Sequence, residues 1–451
     1  MPNQQLFYAI IRGAPMLKKI NIIGGGLAGS EAALYLANLG HKVNLYDIKG
    51  QFLTPAHHSN NFAEIVCSNS LKSDDENTAS GLFKRELTQL GSSLLKVAYS
   101  CRVPAGQALA VDRELFASRV TELIKSNKNI TIYSQEVDSF EQNAITILAT
   151  GPLTTNKMCN ALKEKIGQGF LYFYDAAAPI IAASSIDMNK AFFASRYDKG
   201  DADYLNCAMD KEEYLKFYNE LINAETVQLH SFEKNNIFES CMPIEIMAKR
   251  GEDSIRFGPL KPVGIRNPHK EGKPYAVVQL RKENEYATMY NMVGFQTNLT
   301  FPEQKRIFSL IPGLENAEFL RYGVMHTNNF VNYPKCLDEY SRLKVNNNIF
   351  IAGQLSGVEG YVESIASGLY CAINVDRILN GKQPITFSAN TIIGGLYNYL
   401  VNADVNHFQP INANFGILNP TNERDKQKRY EQYKIRALAE MEQKSKEIKE
   451  R

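Results

Sequence analysis

The sequence predicts an α/β fold in which a Rossmann-type, dinucleotide-binding domain carries an inserted α+β domain. An apolar run at 20–23 leads into a glycine-rich turn and an alanine-rich helical segment. A second strand-like run, 42–47, ends in an acidic residue. Buried-strand patterns recur at 145–150 and 348–354, on either side of a long segment with many aromatic residues, so the chain is expected to leave the first domain and return to it.

The turn after the first strand contains three spaced glycines. Gly24 permits the tight turn, Gly26 leaves room for a pyrophosphate at the backbone, and Gly29 lets the helix pack closely on the strand. The phosphates would lie on free N–H groups at the start of the helix, where the helix dipole favours negative charge. The candidate phosphate-binding residues are therefore Gly24, Gly25, Gly26, Leu27, Ala28 and Gly29.

Four further positions complete the predicted cofactor site. Asp47 ends the second strand, eighteen residues after Gly29, where a carboxylate can accept from a ribose 2′-hydroxyl. Gly151 follows the strand at 145–150, and Gly353 and Gln354 end the last one. Such returning strands are typical of FAD-binding, glutathione reductase-like domains. The alternative is a glycine-rich turn in an ordinary βα unit.

Length and composition exclude several classes of protein. With 451 residues, 44% of them hydrophobic, we expect two or three domains with sizeable cores. No apolar run approaches the roughly 20 residues of a membrane span, and the N-terminus has no secretion signal, so a cytoplasmic location is expected. The net charge of +2 is too small to indicate nucleic-acid binding by itself.

The cysteines are scattered along the chain and odd in number, which predicts reduced thiols. No CxxC pair occurs, and this argues against a zinc knuckle and against a dithiol–disulfide oxidoreductase. No metal site is expected. The seven residues are Cys67, Cys101, Cys159, Cys207, Cys241, Cys336 and Cys371.

A polar loop at 51–70 contains two adjacent histidines, His57 and His58, followed by Cys67. Titratable and nucleophilic side chains so close after a nucleotide-binding unit suggest a catalytic role. Composition alone favours the other interpretation, a solvated loop with a buried cysteine.

Sequence blocks in a fixed order then resemble one family, from about residue 20 to about residue 380. They include TPAHHSNNFAEIVCSNSLKS, VPAGQALAVDR, LYFYDAAAPI, CMPIEIMAKRG, EQKRIFSLIPGLENAEFLRYGVMH and AGQLSGVEGYVESIASG. These blocks are similar to those of the folate- and flavin-dependent uracil-5 RNA methyltransferases, the TrmFO family. A dozen blocks in register make an accidental match implausible.

The resemblance implies an FAD enzyme that takes a carbon from 5,10-methylenetetrahydrofolate and electrons from NADPH or NADH. It implies methylation of C5 of a uridine, usually in the T-loop of tRNA. It also implies that the glycines from Gly24 to Gly29 hold the FAD diphosphate. Cys67 and Cys241 match the two active-site cysteines of the family.

The implied chemistry needs a thiolate, because uracil C5 becomes nucleophilic only after a thiolate has added to C6. Cys241 is the favoured nucleophile, since Lys249 and Arg250 lie close in sequence and would favour its thiolate. Cys67 is then the base that removes the C5 proton, or a temporary holder of the methylene carbon. The sequence leaves open the exchange of these roles.

The chain is expected to divide into five segments. These are an N-terminal extension (1–16), the first part of the FAD-binding domain (17–155), an inserted substrate and RNA domain (156–320), a return segment of the FAD-binding domain (321–421) and a basic C-terminal helix (422–451). The C-terminal helix alternates Lys or Arg with Glu, which favours a solvated helix over an RNA-facing one.

Several functions remain open. The same chemistry on large-subunit rRNA would fit the Lys- and Asn-rich composition without Trp. A GidA-like tRNA-modifying flavoprotein is a second alternative, although its long C-terminal helical domain has no room here. A small-molecule flavin reductase or a non-catalytic RNA-binding flavoprotein would not account for both cysteines. The expected partners are RNA and folate, with no membrane, and the oligomeric state is not determined by the sequence.

Overall fold

The computed structural model describes residues 19–450 apart from 55, 168–169, 177, 199–200, 228–241, 283–286, 324, 407 and 409; for 170–176 and 326–328 it describes the backbone. The predicted extension, 1–16, lies outside these residues. The six cysteines within them are all free thiols. None of the described helices combines the length and the apolar character needed to cross a membrane.

A six-stranded sheet forms the centre of the first domain. In spatial order its strands are β16 (Arg342–Leu343), β17 (Asn346–Ile351), β7 (Ala144–Leu148), β1 (Lys19–Ile23), β2 (Val43–Asp47) and β6 (Ile130–Ser134). All neighbours pair in parallel except β16 and β17. Every residue of β7 is buried, as expected for a parallel strand covered on both faces. The order confirms the Rossmann-type fold, because β7 returns to pair with β1 and β17 then pairs with β7.

Helices cover this sheet and the second one. The described α-helices are α1 (Leu27–Asn38), α2 (Ala79–Gln89), α3 (Ser93–Ser100), α4 (Arg113–Ser126), α5 (Asn156–Ile166), α6 (Lys211–Ile222), α7 (Ile244–Ala248), α8 (Glu252–Phe257), α9 (Phe301–Phe308), α10 (Tyr333–Cys336), α11 (Tyr361–Leu379), α12 (Ile392–Asn402) and α13 (Lys426–Lys449). Helices α2 and α3 are separated at Gly91, where the chain turns with φ of 87°.

Helices α1 and α11 pack closely, and this contact fixes the floor of the nucleotide-binding region. A Cβ atom at Gly368 would lie 2.1 Å from the carbonyl oxygen of Ala28. Only glycine permits this approach, because any side chain there would push the two helices apart. The return segment therefore lies directly against the helix that follows the glycine-rich turn.

A second six-stranded sheet forms the inserted domain, and all its pairs are antiparallel. In spatial order its strands are β10 (Ala191–Phe193), β11 (Leu205–Met209), β12 (Ala276–Lys282), β13 (Met289–Met292), β9 (Ile180–Ala182) and β14 (Phe319–Arg321). Ala276, Val278 and Leu280 of β12 join a buried core with residues of α6, α7, α8 and α9. Its odd-numbered residues, which include Gln279 and Arg281, lie on the other face.

Two smaller sheets lie between these layers. One is a ribbon of β8 (Phe170–Ala176) and β15 (Met325–Val331), the strands by which the chain leaves and re-enters the first domain. The Asn329 amide in β15 donates to the Pro152 carbonyl at 2.9 Å. The other sheet has the order β3 (Ser70–Ser73), β5 (Ala108–Val111) and β4 (Arg102–Val103). Strand β3 directly follows the segment that contains Cys67.

The C-terminal helix α13 packs on the first domain along one face. Tyr433, Ala437, Met441 and Ser445 are buried at intervals of four residues, and the Ser445 hydroxyl donates to the Gln89 carbonyl at 2.8 Å. The opposite face is exposed, as at Ile435. The helix is therefore partly solvated, as the sequence favours, and is also part of the core.

Candidate active site

A cavity opens at the carboxyl ends of β1, β7 and β17, where ligands bind in Rossmann-type sheets. It holds about 1170 Å³ of empty space, counted out to the solvent at its mouth. Eight of the ten predicted cofactor residues line it: Gly24, Gly26, Leu27, Ala28, Asp47, Gly151, Gly353 and Gln354. Gly25 and Gly29 lie behind this surface.

The glycine-rich turn has the shape that a diphosphate requires. A Cβ atom at Gly24, where φ is 101°, would lie 2.4 Å from the Ala149 carbonyl oxygen, and one at Gly29 would lie 1.8 Å from the Gly24 oxygen. At Gly26 a Cβ atom would have no heavy atom within 4 Å and would project into open space. Packing therefore requires glycine at positions 24 and 29. Gly26 leaves a space beside the backbone that a side chain would fill.

Asp47 at the end of β2 faces both the turn and the cavity. Its Oδ2 accepts from the Gly25 amide at 2.6 Å, and its Oδ1 accepts from the Lys49 amide at 2.8 Å. Each carboxylate oxygen has a second lone pair, so either can still accept from a ribose hydroxyl. The residues of this region fit the adenosine end of a dinucleotide such as FAD.

The return segment closes the other side of the cavity. Gly353 follows β17 with φ of 71°, and a Cβ atom there would lie 3.0 Å from the Cβ of Ala28. Helix α11 starts at Tyr361, and both Tyr361 and Ser364 line the cavity. The N-terminus of this long helix therefore faces the cavity and favours negative charge there.

Cys67 is held beside the cavity by the hydroxyl of Tyr361. The oxygen of this hydroxyl accepts from the Cys67 amide at 2.7 Å and from the Ser68 amide at 3.0 Å. Burial raises the pKa of Tyr361 well above its usual value, so the phenol keeps its proton. Cys67 itself is half-buried, and its neighbour Val66 lines the cavity.

Three arginines converge on the same segment from three elements. Arg113, the first residue of α4, donates to the carbonyl oxygens of Ile65 and Val66 at 3.1 Å each. Arg321 of β14 also donates to the Val66 carbonyl. The guanidinium of Arg281 in β12 donates to the Ser68 hydroxyl and the Asn69 side chain. The three guanidinium groups therefore contact the residues on both sides of Cys67.

The two histidines have different positions in the loop. His57 lines the cavity, and its Nδ1 lies 2.6 Å from the Thr54 hydroxyl. Burial and, second, the charge of Lys49 lower the pKa of His57 to about 4, so it is neutral at neutral pH. His58 is exposed, and its pKa is lowered by partial burial and by Arg321. The solvated-loop interpretation therefore describes His58 better than His57.

Cys241 lies outside the described residues, so the structure shows the position of only one predicted catalytic cysteine. The residues that flank this gap hydrogen-bond to one short stretch, 296–298. The Val227 amide donates to the Asn298 carbonyl at 2.9 Å, and the Ile244 amide donates to the Gln296 carbonyl at 2.7 Å.

The sequence interpretation did not identify Tyr361 or the three arginines as site residues. Tyr361 and Arg321 lie within blocks that carry the family resemblance, VEGYVES and RYGVMH, so their position in these blocks was a usable signal. Arg281 closes the block YAVVQLR, but its contact with Asn69 spans 212 residues. No local pattern predicts such a contact.

Comparisons with known proteins match most of the chain. A family model described as glucose inhibited division protein A matches residues 19–383. The chain is 53% identical over 425 residues to the methylenetetrahydrofolate--tRNA-(uracil-5-)-methyltransferase TrmFO of Acetivibrio thermocellus, an alignment that covers 94% of this chain and 98% of that protein. Identity to the TrmFO of Fusobacterium nucleatum is 53% with the same coverage, and identity to that of Brevibacillus brevis is 52%, covering 92% of this chain and 95% of the relative.

Among solved structures, GidA of Aquifex aeolicus resembles this chain in fold. Two crystal forms superpose with TM-scores of 0.71 and 0.70 at 15% and 16% identity. The first superposition covers 96% of this chain and 74% of the GidA chain. At this identity the likeness supports the FAD-binding Rossmann-type fold with its inserted domain and carries no statement about the reaction.

Proposed function

Because this chain belongs to the TrmFO family, we propose that it methylates C5 of a uridine in the T-loop of tRNA. The carbon would come from 5,10-methylenetetrahydrofolate and the electrons from NADPH or NADH, with FAD as cofactor. The observation that carries this proposal is the position of Cys67 beside the cavity that the glycine-rich turn lines. Three arginines contact the residues next to this thiol. The alignments with relatives named for this reaction cover nearly the full length of both chains at 53% identity, and this supports the choice of substrate.

The cofactor would lie in the cavity at the ends of β1, β7 and β17. Gly24 and Gly26 would hold its diphosphate, Asp47 its ribose, and Gly353 with Gln354 its flavin end. When bound, FAD would pass electrons from the reduced nicotinamide to the new methyl group. The N-terminus of α11 would stabilise negative charge at that end of the cavity.

The cysteines would carry out the covalent steps on the uracil ring. A thiolate adds to C6, C5 forms a bond to the methylene carbon, and a base then removes the C5 proton so that the thiolate can leave. Both roles need a thiolate, so the arginines that contact the residues next to Cys67 are compatible with either role for this thiol. We assign the addition to Cys241, as the sequence favours, and the proton removal to Cys67.

The target base must leave its stack to meet a thiol at C6. The inserted domain is proposed to bind the RNA, and folate is proposed to bind at the open side of the cavity. Because tRNA is a cytoplasmic molecule, we place the reaction in the cytoplasm.

The test is a reaction of the purified holoenzyme with a tRNA transcript, NADPH and methylenetetrahydrofolate labelled with carbon-13 in the methylene group. The expected product is 5-methyluridine that carries the label in the T-loop, detected by mass spectrometry of nuclease digests. The Cys67→Ala variant is the control and should give no product. Absence of the label from tRNA would contradict the proposal, and label in a large-subunit rRNA fragment instead would support the rRNA alternative.

A further inference from the structure

We propose that Arg281 of the inserted sheet is a positioning residue for the Cys67 thiol, acting through Ser68 and Asn69. The inference rests on the proposed function in that it treats Cys67 as catalytic. Arg281 would act from the other domain without touching the substrate. The contact thus makes the placement of the thiol dependent on how the two domains are joined.

Arg281 is almost fully buried, with 6% of its surface exposed. It lies on the face of β12 opposite the helices, next to its cross-strand neighbour Asn291. A buried guanidinium is costly unless its donors are paired. Two of its donors are used on the residues directly after Cys67: Nη2 donates to Ser68 Oγ at 2.6 Å, and Nε donates to Asn69 Oδ1 at 2.8 Å.

Asn69 extends this contact into a hydrogen-bonded link between the two domains. It is fully buried, and its amide nitrogen donates to the Lys282 carbonyl at 2.7 Å and to the Val111 carbonyl at 3.2 Å. Its backbone carbonyl accepts from the Val111 amide at 3.0 Å. One side chain therefore links β5 of the first domain with β12 of the inserted domain, and it does so two residues from Cys67.

Cys67 is thus fixed from opposite directions. Tyr361 of the return segment accepts from the amides of Cys67 and Ser68, while Arg281 holds the side chains of Ser68 and Asn69. The other two arginines bind backbone carbonyls that precede the thiol. Among these three arginines, Arg281 is therefore the one that contacts the chain on the C-terminal side of Cys67.

The forked shape of the guanidinium group allows Arg281 to make both contacts at once. Two donors at fixed separation reach Ser68 and Asn69 together, whereas the single ammonium of a lysine is a point donor. Arg281→Lys keeps the positive charge and loses the fork. Arg281→Gln loses both. Comparison of these two variants separates the effect of charge on the thiol from the effect of geometry.

The test measures the Cys67 thiol directly. Holoenzyme is treated with iodoacetamide at neutral pH, and alkylation of the Cys67 peptide is followed by mass spectrometry, which distinguishes it from the other cysteines. In Arg281→Gln we expect the alkylation rate to change by at least about threefold. We expect kcat for tRNA methylation to fall about 100-fold, with KM for tRNA within twofold and FAD content unchanged, since a small displacement of a reacting group is costly. Arg281→Lys should recover the alkylation rate more fully than kcat.

Two further variants test whether Arg281 acts through its contact with Ser68. Ser68→Ala removes one acceptor without removing a charge and should lower kcat less than Arg281→Gln does. Arg256→Gln removes an arginine of the same domain that donates to the Tyr275 carbonyl, away from Cys67, and should match the wild type in both readouts. If Arg281→Gln folds poorly, Ser68→Ala decides the question.

The outcomes separate the two proposals. Wild-type alkylation and kcat in both Arg281→Gln and Ser68→Ala would overturn the positioning role. An altered alkylation rate of Cys67 in Arg281→Gln, in a protein whose wild type methylates no RNA, would support the positioning role and overturn the proposed function.

Discussion

The hydroxyl oxygen of Tyr361 accepts from the backbone amide of Cys67 at 2.7 Å, across 294 residues of sequence. The same oxygen accepts from the Ser68 amide, so one phenol satisfies two consecutive donors. The first residue of α11, which lines the cavity, thus holds the backbone of Cys67, whose neighbour Val66 also lines it. Cofactor site and thiol are one structural unit.

Removal of this hydroxyl should disturb the thiol. In Tyr361→Phe two amides lose their acceptor, at a cost of about 1–3 kcal/mol for each that remains buried and unpaired. We expect tRNA methylation to fall at least about tenfold in a protein that still folds. Tyr430→Phe, on the C-terminal helix, is the matched control and should keep its activity. Equal activity of the two variants would show that the contact does not position Cys67.

Gly26 provides a graded test of the cofactor cradle. A Cβ atom there enters open space in the structure, so substitution should leave the fold intact and obstruct the diphosphate. We expect Gly26→Ala to bind FAD more weakly than the wild type and Gly26→Val to be purified without it, as measured by the flavin absorbance per protein. A folded Gly26→Val protein with stoichiometric FAD would contradict the assignment of this cavity.

The C-terminal helix should contribute to stability through one face. Ala437 is fully buried, whereas Ile435 is 60% exposed on the same helix. Ala437→Glu places a charge in the core and should lower the melting temperature by several degrees, because burial of an unpaired carboxylate is costly. Ile435→Glu should leave it within about one degree. Similar melting temperatures for the two variants would mean that the helix does not dock in solution.

Features that depend on residues close together in the sequence could be predicted, whereas contacts between residues far apart in the sequence could not. The glycine-rich turn, the strand that ends at Asp47 and the return at Gly353 are local patterns, and the structure has all three. The residues around Cys67 come from four distant segments, and their convergence depends on the packing of two domains, which no local pattern encodes.

The roles of the two cysteines can be separated with 5-fluorouridine at the target position. This base has no C5 proton to lose, so the adduct at C6 cannot resolve and should survive denaturation. With methylenetetrahydrofolate and NADPH present, Cys241→Ala should form no adduct, whereas Cys67→Ala should form it. The reverse pattern would exchange the two roles, and adducts in both variants would mean that neither of these two thiols is the nucleophile.

The uridine that this chain methylates is identified most directly by a map of 5-methyluridine in tRNA and rRNA from cells that lack the chain. We expect the T-loop uridine of tRNA to lose its methyl group while rRNA is unchanged. Re-expression of the wild-type chain should restore the modification, whereas the Cys67→Ala variant should not. An unchanged level of 5-methyluridine in the tRNA T-loop of the deletion strain would show that this chain does not methylate that uridine.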